Sequence, residues 1–157
     1  MLKALLKKQL LEMNTFYFQD RKTGKRRSKG KTVGMVILYI AIFGLTGDLG
    51  QPISSYSHGM KQKLAIISAW LHEPKLIIMD EPFVGLDPKA SHRLKEMMRE
   101  HCDKGGAIFF STHVLEVAEK LCDKVAIIKN GKLIADGTME EVKGDESLED
   151  VFLELEE

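Results

Sequence analysis

The chain has 157 residues, the length of one ordinary domain, and 44% of them are hydrophobic, enough for a globular core. Its two cysteines, Cys102 and Cys122, stand at no metal-ligand spacing and read as buried, reduced thiols. The net charge of zero conceals a division: residues 1–46 carry ten Lys/Arg against two acids, +8, which leaves −8 for the remainder and points to two segments with different jobs.

In chain order, residues 2–13 place Leu2, Leu5, Leu6, Leu10 and Met13 near helical spacing beside Lys3, Lys7 and Lys8, a basic amphipathic helix. Arg21 to Lys31 is a basic loop without apolar residues. Val33 to Leu45 then runs uncharged for thirteen residues, which as a helix would reach about 20 Å, short of the ~30 Å hydrocarbon core of a bilayer. Interfacial helix, positive loop and apolar run follow the order of a membrane protein's start. A buried strand or core helix is the competing reading for residues 33–45, and a signal peptide fits worse because no small-residue cleavage site follows.

From Ser54 onward the pattern alternates between helix and strand. A helix is predicted from Ser57 to about His72, closed by Pro74, with Leu64, Ile67 and Leu71 inward. The strand Leu76–Asp80 follows, its four apolar residues implying burial. Asp87-Pro88 opens a second helix with Ala90, Leu94, Met97 and Met98 on one face, and Gly105-Gly106 stops it. The strand Ala107–Ser111 completes a βαβ unit, which favours parallel pairing. Next come a helix from Val114 to Cys122, strands Val125–Lys129 and Leu133–Ala135 around an Asn130-Gly131 turn, and a last amphipathic helix carrying Leu148, Val151, Phe152 and Leu155. His72, His92 and His101 read as surface residues.

Chemistry gathers at the ends of these elements. Ser57 begins a helix, so its hydroxyl and the positive helix end can meet an anion, although a plain capping serine looks the same. Asp80 and Glu81 end a strand, and Ser111-Thr112-His113 ends another. Tyr56-Ser57-His58-Gly59-Met60, Leu76 to Glu81, Gly85-Leu86-Asp87 and His113 occur in the order and spacing of the signature motif, Walker B strand, D-loop and switch histidine. In these four motifs, residues 45–157 resemble the ATP-binding subunit of an ABC transporter, and Tyr-Ser-His-Gly-Met-Lys is similar to the bacterial exporter form.

The resemblance implies an α/β fold: an incomplete P-loop NTPase domain over residues 46–157 with a parallel βαβ core and a C-terminal hairpin and helix. Residues 1–45 precede it as a basic and apolar helical segment resembling the start of an exporter permease. It implies ATP and Mg²⁺ as cofactors, Asp80 on the metal through water, Glu81 orienting or deprotonating the attacking water, and His113 at the γ-phosphate. Ser57 and Gly59 would touch nucleotide held by a second ATP-binding subunit, and Asp87 would help position that subunit's site. His58 departs from the usual glycine. The implied partners are a permease and the second ATP-binding subunit, at the inner face of the cell membrane on the cytoplasmic side; the basic segment suggests an anionic membrane surface, with nucleic acid unfavoured.

One required motif has no match. GxxxxGK[ST], whose amides wrap phosphates, is approached only by Gly24 to Thr32, which has one residue too many between its glycines and follows no strand. Two readings therefore stand: an ATP-hydrolysing transport subunit by descent that cannot cradle ATP alone, and a non-catalytic fusion remnant acting through a partner or a membrane surface. If the strand that should flank Leu76–Asp80 is lacking, its edge and some apolar surface are left uncovered, unless residues 33–45 substitute as a strand.

Overall fold

The computed structural model describes residues 29–155, so the amphipathic helix expected over 2–13 and most of the basic loop lie outside the described residues. The chain divides into two compact units. The first comprises the chain through Ile77 with Phe83–Ile108, and the second comprises Ile78–Pro82 with Phe109–Glu157.

Among the described residues, the first helix of the first unit is α1, Lys29–Ile42, which takes its first residues from the expected basic loop. The apolar run is thus helical through Ile42, and the substitute-strand alternative is overturned. Gly44 ends α1 at φ +70°, with its N–H bonded to the Ala41 carbonyl at 3.1 Å and the Leu45 N–H to the Ile40 carbonyl at 3.0 Å. This left-handed glycine cap turns the chain so that Ile40, Phe43 and Leu45 all enter the core. Two single-turn 3₁₀ segments, Thr46–Asp48 and Ile53–Ser55, lead to helix α2, His58–Trp70, whose buried face is Ile66, Ile67 and Trp70. Helix α3, Pro88–Asp103, buries Ala90, Leu94, Met97 and Met98, the face its spacing predicts. Trp70 meets His101 edge-on at 6.3 Å between ring centroids. His101 is therefore not the expected surface residue: it is half-buried, with Nε2 enclosed and lacking a hydrogen-bond partner among the described residues.

Strands β1, Leu76–Asp80, and β2, Ala107–Ser111, have their expected bounds and pair with each other. The Ala107 N–H bonds to the Lys75 carbonyl at 2.7 Å where the strands begin, and Ser111 bonds to Asp80 where they end, so the two run parallel. The expected burial of β1 is only half met. Ile77 is buried, but Leu76 and Ile78 are 54% and 71% exposed and Phe109 on β2 is 63% exposed. Side chains alternate between the faces of a sheet, and one face of this pair carries no cover among the described residues.

In the second unit, helix α4, Leu115–Leu121, precedes the hairpin of β3, Lys124–Lys129, and β4, Lys132–Thr138. The pairing is antiparallel from Lys124 opposite Thr138 to Lys129 opposite Lys132, with an irregularity at Ile127/Ile128. Asn130 and Gly131 both have positive φ, the tight hairpin turn their sequence predicts. Thr138 and Glu141 form a reciprocal capping box for α5, Met139–Lys143, an unexpected short helix. Helix α6, Leu148–Glu154, completes a core of Ala118, Ile127, Met139 and Leu148. Glu119 ties the unit together, accepting from Lys143 Nζ at 2.8 Å and from the Leu148 N–H at 3.2 Å. Neither cysteine forms a disulfide among the described residues; contrary to expectation Cys102 is exposed, and Cys122 is only half-buried where it packs against this core.

Candidate functional site

The six site residues expected from sequence fall into two clusters, each within its own unit. In the first unit, Ser57 adopts an extended conformation as the N-cap of α2, its hydroxyl accepting the Met60 N–H at 3.2 Å. The turn behind it is closely packed. A Cβ on Gly59 would stand 2.2 Å from the Gly85 carbonyl oxygen, and one on Gly85, at φ +77°, would meet His58 Cδ2 at 2.9 Å. The side chain at position 58 thus lies against the Gly85-Leu86-Asp87 loop, a contact the sequence did not disclose.

Asp87 works in two directions. One carboxylate oxygen accepts the Ala90 N–H at 2.9 Å and caps α3, while the other pairs with Lys63 Nζ of α2 at 2.5 Å. The lysine hydrogen bond, with the backbone bond from Ala90, holds the Asp87 carboxyl below its ordinary range. Lys63 is 15% exposed against 49% for its partner. A small cavity of about 220 Å³ beside the pair is lined by Ile42, Phe43, Gly44, Lys89 and Ala90 as well. Lys63 was missed by sequence reasoning because no motif marks it; its reach to Asp87 exists only once α2 lies beside the start of α3.

In the second unit, Asp80, Glu81, Ser111 and His113 form one hydrogen-bonded group. The Ser111 hydroxyl donates to Asp80 Oδ1 and accepts the Glu81 N–H at 3.1 Å. Those two bonds use the single proton and one lone pair of the hydroxyl. Glu81 Oε1 stands 2.8 Å from His113 Nδ1. An ionised carboxylate only accepts, so this contact places a proton on Nδ1 and leaves Nε2 as acceptor in the neutral ring or donor in the imidazolium. Glu81 has φ +43°, a left-handed conformation that non-glycine residues rarely adopt, and the fully buried Pro82 follows it. Ser111 is the second residue missed; parallel pairing of β1 and β2 is what brings it to Asp80.

No group of three or more His, Cys, Asp or Glu among the described residues is arranged to hold a metal by itself. One aspartate at a strand end, beside a serine hydroxyl and a second carboxylate, does suit Mg²⁺, which is usually bound by one or two carboxylates together with substrate phosphates. The expected near match to a phosphate loop, Gly24 to Thr32, lies partly outside the described residues, and its last four residues open α1.

The family profile described as "AAA domain, putative AbiEii toxin, Type IV TA system" matches residues 2–119, a stretch that includes every site residue named above. The ABC-type transporter ATP-binding protein EcsA of Bacillus subtilis (strain 168) is 46% identical over 105 residues, 64% of this chain and 42% of EcsA. The linearmycin resistance ATP-binding protein LnrL of the same organism is 37% identical over 108 residues, 69% of this chain and 34% of LnrL. A solved structure of the ATP-binding subunit of an ABC transporter superposes with a TM-score of 0.80 at 34% identity, covering 99% of this chain and 62% of that one. The chain spans less than half the length of these two curated relatives. It belongs to the AAA-domain family and, by homology and fold match, is a partial-length ABC transporter ATP-binding domain.

Proposed function

We propose that this chain carries the signature, Walker B and switch portions of an exporter-type ATP-binding subunit and acts on ATP only with a phosphate-binding loop supplied from outside its sequence. The observation that carries the reading is the position of Glu81, tied by its N–H to Ser111 and by its carboxylate to His113 beside Asp80. Asp80 would hold Mg²⁺, and the magnesium nucleotide, when bound, supplies the γ-phosphate as the group to be transferred. Glu81 then orients a water and takes its proton, as a carboxylate held at a rigid strand end can. His113 fixes that carboxylate and, as the imidazolium, would donate its Nε2–H to the phosphate. Ser57 and Gly59, at the start of α2, would meet nucleotide bound by a second ATP-binding subunit, and Asp87 would position that subunit's site.

The same reading places the chain at the inner face of the cell membrane with a permease partner. Residues 1–45 form its basic and apolar segment, resembling a permease start, with the last few residues of that segment taken into the first unit's core.

Complementation tests the reading. Purified alone, the chain should hydrolyse ATP no faster than its Glu81→Gln variant. Mixed with the phosphate-loop half of a relative such as EcsA, it should show Mg²⁺-dependent turnover that Glu81→Gln removes. Turnover by the mixture that survives Glu81→Gln would remove Glu81 from the chemistry. No turnover in any mixture would favour the second reading, a non-catalytic interaction protein.

A further inference from the structure

We propose that the outward side of α1 is a docking face for an anionic phospholipid surface, a reading independent of ATP binding. At 100° per residue, Val33, Gly34, Ile37, Leu38 and Ala41 share one side of this helix, and all five are exposed. Val33, Ile37 and Leu38 are 42%, 61% and 57% exposed. The other side goes into the first unit through Ile40, with Phe43 and Leu45 just past its end. A half-buried helix ordinarily turns charged residues outward, yet no charged residue occurs from Val33 through Ile42. The outer face is therefore apolar without a cover among the described residues.

Length and charge identify the occupant. At 14 residues α1 reaches about 21 Å, and no described helix is long and apolar enough to cross a membrane, so the face suits lying in an interface rather than spanning it. Seven Lys/Arg, from Arg21 to Lys31, immediately precede the face, within a segment of net charge +8. Each basic residue near an anionic surface strengthens binding about five-fold at low salt. A second copy of this chain is the poorer occupant, because like faces would bring two +8 segments together.

The test is sedimentation of the full chain with phosphatidylcholine vesicles, with and without phosphatidylglycerol. Binding should be at least ten-fold tighter to the anionic vesicles and should weaken with added salt. Ile37→Asp with Leu38→Asp should weaken it at least ten-fold while Trp70 fluorescence and thermal unfolding stay unchanged; Ile37→Ala with Leu38→Ala, which adds no charge, should lower it in the same direction. Equal binding to both vesicle types, binding unmoved by the substitutions, or a vesicle-free dimer that Ile37→Asp with Leu38→Asp dissociates would each overturn the proposal, the last by naming a second copy as the occupant.

Discussion

Gly59→Ala separates helix propensity from packing, because the two act on it with opposite sign. Alanine is favoured over glycine inside a helix by about 1 kcal/mol, so an isolated α2 would gain from the change. In the folded chain the new Cβ would stand 2.2 Å from the Gly85 carbonyl oxygen, where ordinary contact begins at 3.4 Å. The obstacle is backbone and cannot rotate away, and Gly85 at φ +77° is itself confined by His58. Forcing such a shift costs about 1–3 kcal/mol, which leaves a net loss of roughly 0–2 kcal/mol after the helix gain and no net stabilisation. For a chain of this size, about 2–4 °C of melting temperature accompanies each kcal/mol. The single tryptophan, Trp70, is buried on α2 and reports the change by fluorescence in thermal or urea unfolding. Gly34→Ala is the paired control: it is helical, exposed and has nothing within 4 Å of its added Cβ, so it should stabilise by about 0.5–1 kcal/mol. If Gly59→Ala stabilises as Gly34→Ala does, the close approach of the signature turn to the Gly85 loop is wrong.

Two further outcomes follow from the same geometry. The Asp87 carboxyl is held below its ordinary value of 3.8, chiefly by the Lys63 hydrogen bond, so its contribution is present above that value and is lost as pH falls through the lower folded value. The stability gap between wild type and Asp87→Asn should therefore be widest above about pH 4, narrow with further acidification and shrink in high salt; parallel stability curves across that range would contradict it. Leu148, fully buried among Ala118, Ile127 and Met139, should cost about 2–5 kcal/mol when replaced by alanine, read by far-ultraviolet circular dichroism during unfolding, whereas a loss under about 1 kcal/mol would mean the cluster closes around the gap.

Local chemistry made the elements from residue 57 onward legible. Asp87-Pro88 specifies the start of α3 by cap and ring geometry, Asn130-Gly131 specifies the hairpin, and the four apolar residues before Asp80 specify a strand with its observed bounds. Asp80, Glu81 and His113 follow short apolar runs, which mark where strands end, but it was the motif resemblance and not the runs that singled them out as candidates. Contacts closed by tertiary packing were not legible: Ser111 to Asp80, Lys63 to Asp87, and Gly59 against Gly85 each join residues from different elements. The apolar run at 33–45 was ambiguous for a physical reason. Val36, Ile37, Tyr39, Ile40 and Ile42 suit a strand as well as a helix, and only the Gly44 turn and the burial of Phe43 and Leu45 decide between them.

The left-handed backbone at Glu81 has a consequence for how a mutational scan of this position should be interpreted. Glycine, asparagine and aspartate tolerate that conformation, while valine, isoleucine and threonine do not. A selection for folded protein alone, with no nucleotide present, would thus already filter position 81, and a depletion of branched side chains there would report main-chain geometry instead of chemistry. Only substitutions matched for backbone tolerance, such as glutamine against the native glutamate, isolate the carboxylate. Position 113, which has no such torsional restriction, can be scanned without this confusion.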